Sequence, residues 1–135
     1  SIVHGDFNPA NFLYENGQVS ALIDWEASRV GDPREDLGWM VLMDVYSNTH
    51  VMDYPKKEGG FLAYYNKLTG NDITPQELGY FMLFGTMEIA IPVQQFVARR
   101  VHKDFTLLLP LYVAQTSMAV LPAMAQAMGY MGVSA

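Results

Sequence analysis

Residues 4–24 read HGDFNPANFLYENGQVSALID, and their middle decides the local fold. Asn16-Gly17 is the strongest two-residue hairpin signal, because both positions tolerate positive φ. The spacing predicts one strand over Asn11–Glu15 and a returning strand over Gln18–Asp24, with Val19, Ala21 and Ile23 on one face. A two-residue turn sets the register. Asn11 and Asp24, far apart in sequence, are therefore expected as neighbours at the open end of the hairpin.

Beyond residue 32 the pattern changes from strand and turn to helix. Asp32 is a candidate N-cap with Pro33 at the first helical position of a helix reaching Tyr46. Residues 47–55 read as a loop, and a second helix is expected over Glu58–Leu68, ended by Gly70. Thr74-Pro-Gln-Glu77 has the form of a capping box, opening a long helix toward His102 that Pro92 is expected to bend. Asp104 is a candidate cap for a last helix divided by Pro110 and Pro122. The fold class expected is α+β, mainly α, as a single domain: 1–32 a loop and hairpin, 33–135 helical. The stripe Phe81, Met82, Phe84 and Met87 reads as core, and Arg99, Arg100 and Lys103 as a solvated helix end.

Composition narrows the function classes. The 135 residues are 50% hydrophobic and 16% charged, with a net charge of −6 and no cysteine. Such a chain has enough apolar surface for one core, and its low charged fraction argues against disorder. Its acidity disfavours nucleic acid and suits a cationic small molecule. Without cysteine there is no disulfide or thiolate metal site, in keeping with a cytoplasmic setting. The span 105–135 carries no charged residue. Its prolines, its polar residues Gln115, Thr116, Ser117 and Gln126, and the lack of a following Lys or Arg favour a buried helix over a membrane span.

Asp6 and Asn11 carry the spacing of the kinase catalytic loop, H-R-D-x-x-x-x-N, with Gly5 in place of the Arg. After the hairpin come Ile23-Asp24-Trp25-Glu26, then Gly31-Asp32-Pro33 and Asp36-Leu37. HGDFNPANFL, LIDWEASRVGDP and DLGW, in this order, resemble the aminoglycoside phosphotransferase family of kinase-like small-molecule phosphotransferases. The likeness is dense over residues 2–39 and only compositional beyond. It implies a protein-kinase-like C-terminal lobe and ATP-dependent phosphoryl transfer to a small-molecule hydroxyl. Asp6 would be the catalytic base, Asn11 and Asp24 would hold Mg²⁺, and His4 and Asp36 would support the loop. The residue types suit that chemistry. A carboxylate serves as base when the hydroxyl acidifies as its bond to phosphorus forms, and hard oxygens are the ligands Mg²⁺ prefers.

Each residue also has a plainer reading. Asp6 with Asn8-Pro9 makes good turn chemistry, Asn11 and Asp24 are ordinary strand-end residues, and Asp32 and Asp36 suit a helix N-terminus. Glu26 reads equally as a solvated charge or as a residue reaching substrate. Glu26, Asp32 and Glu35 could wall an acidic cleft for an amino-sugar or choline-like amine. His4, His50 and His102 are too scattered for a zinc site. No Gly-rich phosphate loop or strand lysine with a helical glutamate partner occurs in these residues. The chain is therefore expected to be a C-terminal lobe, inactive alone, whose partner is an N-terminal kinase lobe. The alternative is a non-catalytic pseudokinase or helical binding module, with self-association through exposed apolar surface.

Overall fold

A computed structural model describes the backbone of residues 1–47 and 59–100, side chains through residue 91, and the isolated positions 125, 128, 129 and 132. The expected loop at 47–55 lies almost wholly outside the described residues. So do the Asp104 cap, the divided last helix, and the helix-end cluster of Arg99, Arg100 and Lys103. Among the described residues the fold is mixed, with two small antiparallel sheets and three α-helices. Strand β1 (Ile2–Val3) pairs with β4 (Arg29–Val30), and β2 (Phe12–Glu15) pairs with β3 (Gln18–Leu22). Helices α1 (Arg34–Tyr46), α2 (Phe61–Thr69) and α3 (Pro75–Arg100) follow.

The hairpin turns at Asn16-Gly17, with φ of 52° and 78°. Two features depart from the expectation. Asn11 is not a strand residue but the last residue of a 3₁₀ turn over Pro9–Asn11. The register also shifts by one between Leu13 and Tyr14, making Ser20 an extra residue in β3. This bulge interrupts the alternation that would have put Val19, Ala21 and Ile23 on one face. It also advances the pairing, so the Asn11 carbonyl accepts from the Ile23 N–H at 3.0 Å. Asp24 follows directly.

Helix α1 begins one residue later than expected, at Arg34. Asp32 Oδ1 accepts from the Arg34 N–H at 2.9 Å, and Glu35 Oε1 reaches back to the Asp32 N–H at 3.0 Å. These reciprocal bonds satisfy donors that a helix start leaves open. The second reciprocal pair is at α3. The Thr74 N–H donates to Glu77 Oε2 at 2.8 Å, and the Glu77 N–H donates to Thr74 Oγ1 at 3.2 Å. Helix α2 ends where Gly70 takes φ of 72°. Helix α3 continues through position 92.

Leu37 and Val41 of α1, Leu62 of α2, and Leu78 and Met82 of α3 form the core. Helices α1 and α3 cross closely because Gly38 has no side chain. A Cβ there would lie 2.6 Å from Phe81 Cβ and 2.9 Å from the Met82 backbone nitrogen. Gly85 gives the matching space for Trp39 and Leu42, each 3.1 Å from where its own Cβ would be. Leu78, Met82 and Gly85 thus define the α3 face that meets α1. The expected core stripe is only partly correct: Met82 is fully buried, but Phe84 and Met87 are 40% and 43% exposed. They lie with Tyr80 and Ile91 on a different face of the helix, which α1 does not cover.

Two arginines brace this frame. Arg29 on β4 pairs with Glu35 of α1 at 2.7 Å and Glu88 of α3 at 2.9 Å. Arg34 pairs with Asp32 at 2.6 Å and Glu77 at 2.8 Å, and its guanidinium lies 5.0 Å from the centre of the Phe81 ring. Burial pushes the Glu88 carboxyl up, against the pull of Arg29 and with the push of Glu35. The Arg34 side-chain hydrogen bond holds Asp32 below its ordinary carboxylate value of 3.8.

Gly38→Ala should force the α1–α3 crossing apart. The expected loss is roughly 1–3 kcal/mol of stability, read as a lower denaturant midpoint at unchanged slope. Because Asp32 binds its proton less tightly folded than unfolded, its contribution is present above pH 3.8 and is lost as pH falls below it. Asp32→Asn should therefore be less stable than the parent at neutral pH. The gap should narrow in unfolding measurements taken progressively below that value.

Candidate active site

The site is built on the left-handed turn at Gly5. Its φ is +84°, and a Cβ there would collide with the Ala27 carbonyl, so only glycine fits between the loop and residues 25–27. The two N–H groups exposed by this turn point at one carboxylate. Asp36 Oδ2 accepts from the His4 N–H at 2.8 Å and Oδ1 from the Gly5 N–H at 2.9 Å. Asp36 stands in the first turn of α1, so the loop is fastened to the helix that Gly38 seats on α3.

His4 is 2% exposed and lies against Trp25, the rings tilted by 57° with centroids 4.6 Å apart. Its ring bridges the loop and the hairpin. Nδ1 accepts from the Asp6 N–H at 3.2 Å, so the ring proton sits on Nε2, which donates to the Ile23 carbonyl at 2.9 Å. One buried ring therefore sets the backbone of Asp6 relative to the residue just before Asp24.

The Asp6 carboxylate is held by neutral donors. Asn8 Nδ2 and Trp39 Nε1 each donate to Oδ1 at 2.8 Å. Asn11 Nδ2 donates to Oδ2 at 2.8 Å and to the Asp6 carbonyl at 2.9 Å. Asn8 also caps the following turn, its Oδ1 accepting from the Ala10 N–H at 2.9 Å. It is extended, with φ −147° and ψ 159°, as a residue before proline prefers.

The structure thus puts Asp6 and Asn11 in direct contact, and His4 and Asp36 around their backbone. Asp24 is placed differently. It is exposed, in the left-handed region with φ 68° and ψ 53°, and caps the short turn over Trp25–Ala27 without a side-chain bond. It sits one residue beyond Ile23, the hydrogen-bonded partner of Asn11, and no described hydrogen bond joins its carboxylate to Asp6 or Asn11. Glu26 is exposed in the same turn. Asp32 and Glu35, expected as cleft walls, are taken up by Arg34 and Arg29.

The arrangement suits a hard cation on one count and leaves another plain. With Asn11 Nδ2 committed to Asp6, the amide oxygen is its remaining polar atom, and Asp24 offers an exposed carboxylate. Both are the oxygen ligands a magnesium-sized ion takes, with water completing the shell. Among the described residues no group of three or more His, Cys, Asp or Glu could hold a metal alone. No described helix is long and apolar enough to cross a membrane.

Two residues of the constellation carried no site reading in the sequence. Asn8 was visible only as half of an Asn-Pro turn signal. Trp39 was visible as the end of the DLGW stretch but without a role, although an indole N–H withdrawn from water needs a partner. That partner, Asp6, lies in another element.

Residues 1–72 match the phosphotransferase enzyme family. The chain is 31% identical over 62 residues, or 44% of its length, to the uncharacterized protein YcbJ of Bacillus subtilis (strain 168). It is 41% identical over 44 residues, or 31% of its length, to acyl-CoA dehydrogenase family member 10 of Mus musculus. The matched stretches span 20% and 4% of those proteins. No solved structure matches. The family match covers just over half of the 135 residues and every residue of the constellation around Asp6, and the chain belongs to the phosphotransferase enzyme family.

Proposed function

We propose that this chain forms the catalytic half of a kinase-like enzyme that moves the γ-phosphoryl group of ATP to a hydroxyl of a small molecule. The observation that carries the reading is the Asp6 carboxylate, held by Asn8, Asn11 and Trp39 beside the hairpin end that carries Asp24. In the reaction the acceptor oxygen bonds to the γ-phosphorus and the bond from phosphorus to the ADP oxygen breaks. The acceptor's proton passes to Asp6, late in the transfer, when the hydroxyl has become acidic. Asn11 and Asp24 would hold Mg²⁺, which neutralises charge on the phosphates. His4 and Asp36 position the loop and touch no reacting atom. Glu26, exposed beside Asp24, is proposed to face the acceptor.

The hairpin and the β1–β4 pair expose an apolar surface that fits a covering lobe. Ile2 and Val30, paired across β1 and β4, are 74% and 88% exposed, and Tyr14 of β2 is 59% exposed. The partner proposed for it is an N-terminal nucleotide lobe, with which ATP binding would be completed. The 135 residues alone should then turn over ATP far below the ~1–100 s⁻¹ of kinases. A rate in that range from the isolated chain would contradict the assignment of ATP binding to another lobe.

Asp6→Asn in a polypeptide that joins this chain to the proposed nucleotide lobe should lower Mg²⁺-dependent phosphoryl transfer by about 10²–10⁴-fold. Its circular dichroism and unfolding midpoint should stay near those of the parent. A variant that keeps full activity would remove Asp6 from the role of base. A parent that neither binds nor turns over ATP would favour the non-catalytic reading.

A further inference from the structure

We infer that Trp39 is a positioning residue that commits one oxygen of Asp6 to the scaffold and leaves the other, Oδ2, as the atom that takes the acceptor's proton. The inference rests on the phosphotransferase reading above and assigns its chemistry to single atoms.

The argument is a count of lone pairs among the described residues. Each carboxylate oxygen accepts about two hydrogen bonds. Asp6 Oδ1 already receives two, from Asn8 Nδ2 and Trp39 Nε1, both at 2.8 Å. Oδ2 receives one, from Asn11 Nδ2 at 2.8 Å. The next donor to arrive, a substrate hydroxyl, therefore finds its acceptor on Oδ2. That oxygen is also the one held by Asn11, so the proton acceptor and the proposed metal ligand are tied by one bond.

The two anchors differ in kind. Asn8 is two residues from Asp6 and moves with the loop. Trp39 lies on α1, so its indole refers the carboxylate to the helical core. Its ring is in turn confined by α3, where Gly85 leaves room for it: a Cβ on Gly85 would stand 3.1 Å from Cε3. Of the three described side chains that donate to this carboxylate, Trp39 alone belongs to the α-helices. Without it, rotation about the Asp6 side chain would exchange the two oxygens with only loop residues to oppose it. A misplacement of this size at a reacting atom is costly because transfer depends on alignment.

Trp39→Phe keeps most of the ring and removes the N–H. In a polypeptide that joins this chain to the proposed nucleotide lobe, assayed with MgATP and a panel of choline, ethanolamine, homoserine, glucose and kanamycin, it should lower kcat about ten- to a hundredfold. This is the range expected for one hydrogen bond to a charged group. KM for ATP should stay within about twofold. Tyr80→Phe, on the exposed face of α3, should leave kcat within about threefold. A second readout does not need turnover. The chain has two tryptophans, so its proton–nitrogen NMR spectrum holds two indole signals. Asp6→Asn should move the Trp39 signal and leave that of Trp25 in place.

An active parent, an inactive Asp6→Asn and a Trp39→Phe with parental kcat would overturn the inference while sparing the phosphotransferase reading. So would a Trp39 indole signal indifferent to Asp6→Asn. A Trp39→Phe that unfolds is replaced by Trp39→His, which restores a ring N–H. Recovery of kcat above that of Trp39→Leu supports the inference, and equal loss in both counts against it. Absence of Asp6-dependent turnover in the parent removes the reading itself, and the inference with it.

Discussion

The bidentate grip of Asp36 on the N–H groups of His4 and Gly5 is the constraint on which the site depends. Two consecutive backbone donors must be satisfied in a turn that no strand or helix completes. A carboxylate in the first turn of α1 does so where the helix dipole also favours its charge. The helix carrying it is seated by the Gly38 crossing, so the loop inherits the rigidity of the core. Removing the carboxylate would leave both donors unpaired, at a cost of about 1–3 kcal/mol each. It would also free the turn that aims Asp6. From this grip the order spreads outward. The His4 ring fixes Ile23, Ile23 fixes Asn11 through its N–H, and Asn11 closes on Asp6.

Unusual backbone geometry gathers at the same place. Outside the hairpin turn, Asp24 is the one non-glycine residue with positive φ among the described residues, and Gly5 turns left-handed close by. Left-handed backbone at a non-glycine residue costs on the order of 1–2 kcal/mol, less for Asp than for most. It persists where neighbours over-determine the chain. Here they do, because the Ile23 carbonyl is held by His4 and the Ile23 N–H by the Asn11 carbonyl. The peptide leading into Asp24 therefore has little freedom left.

Local chemistry was readable in the sequence and tertiary geometry was not. Asn16-Gly17 announced its turn, Thr74 and Glu77 their reciprocal cap, and Gly70 the end of α2, because each works within four residues of itself. The bulge at Ser20 carries no such mark, since nothing in Val-Ser-Ala requires an extra residue. Yet it decides that Asn11 meets Ile23. The stripe from Phe81 to Met87 was read as one face, although the helix splits it between two. Only the position of α1, set by glycines at 38 and 85, decides which half is covered. Trp39 stood in the DLGW stretch without a role, because its partner Asp6 is brought to it by the whole fold.

The acidic residues divide by what compensates them. Asp32, Glu35, Glu77 and Glu88 are all paired with Arg29 or Arg34, and these pairs tie β4, α1 and α3 together. Asp6 is met by an indole and two amides, and Asp36 by backbone N–H groups. Asp24 has no protein partner among the described hydrogen bonds and ion pairs. Dipoles hold the Asp6 carboxylate without cancelling its charge. Arg29 and Arg34 are both spent on the frame, and among the described residues no ion pair meets the charge of Asp6 or Asp24. The proposed magnesium ion would supply positive charge beside them.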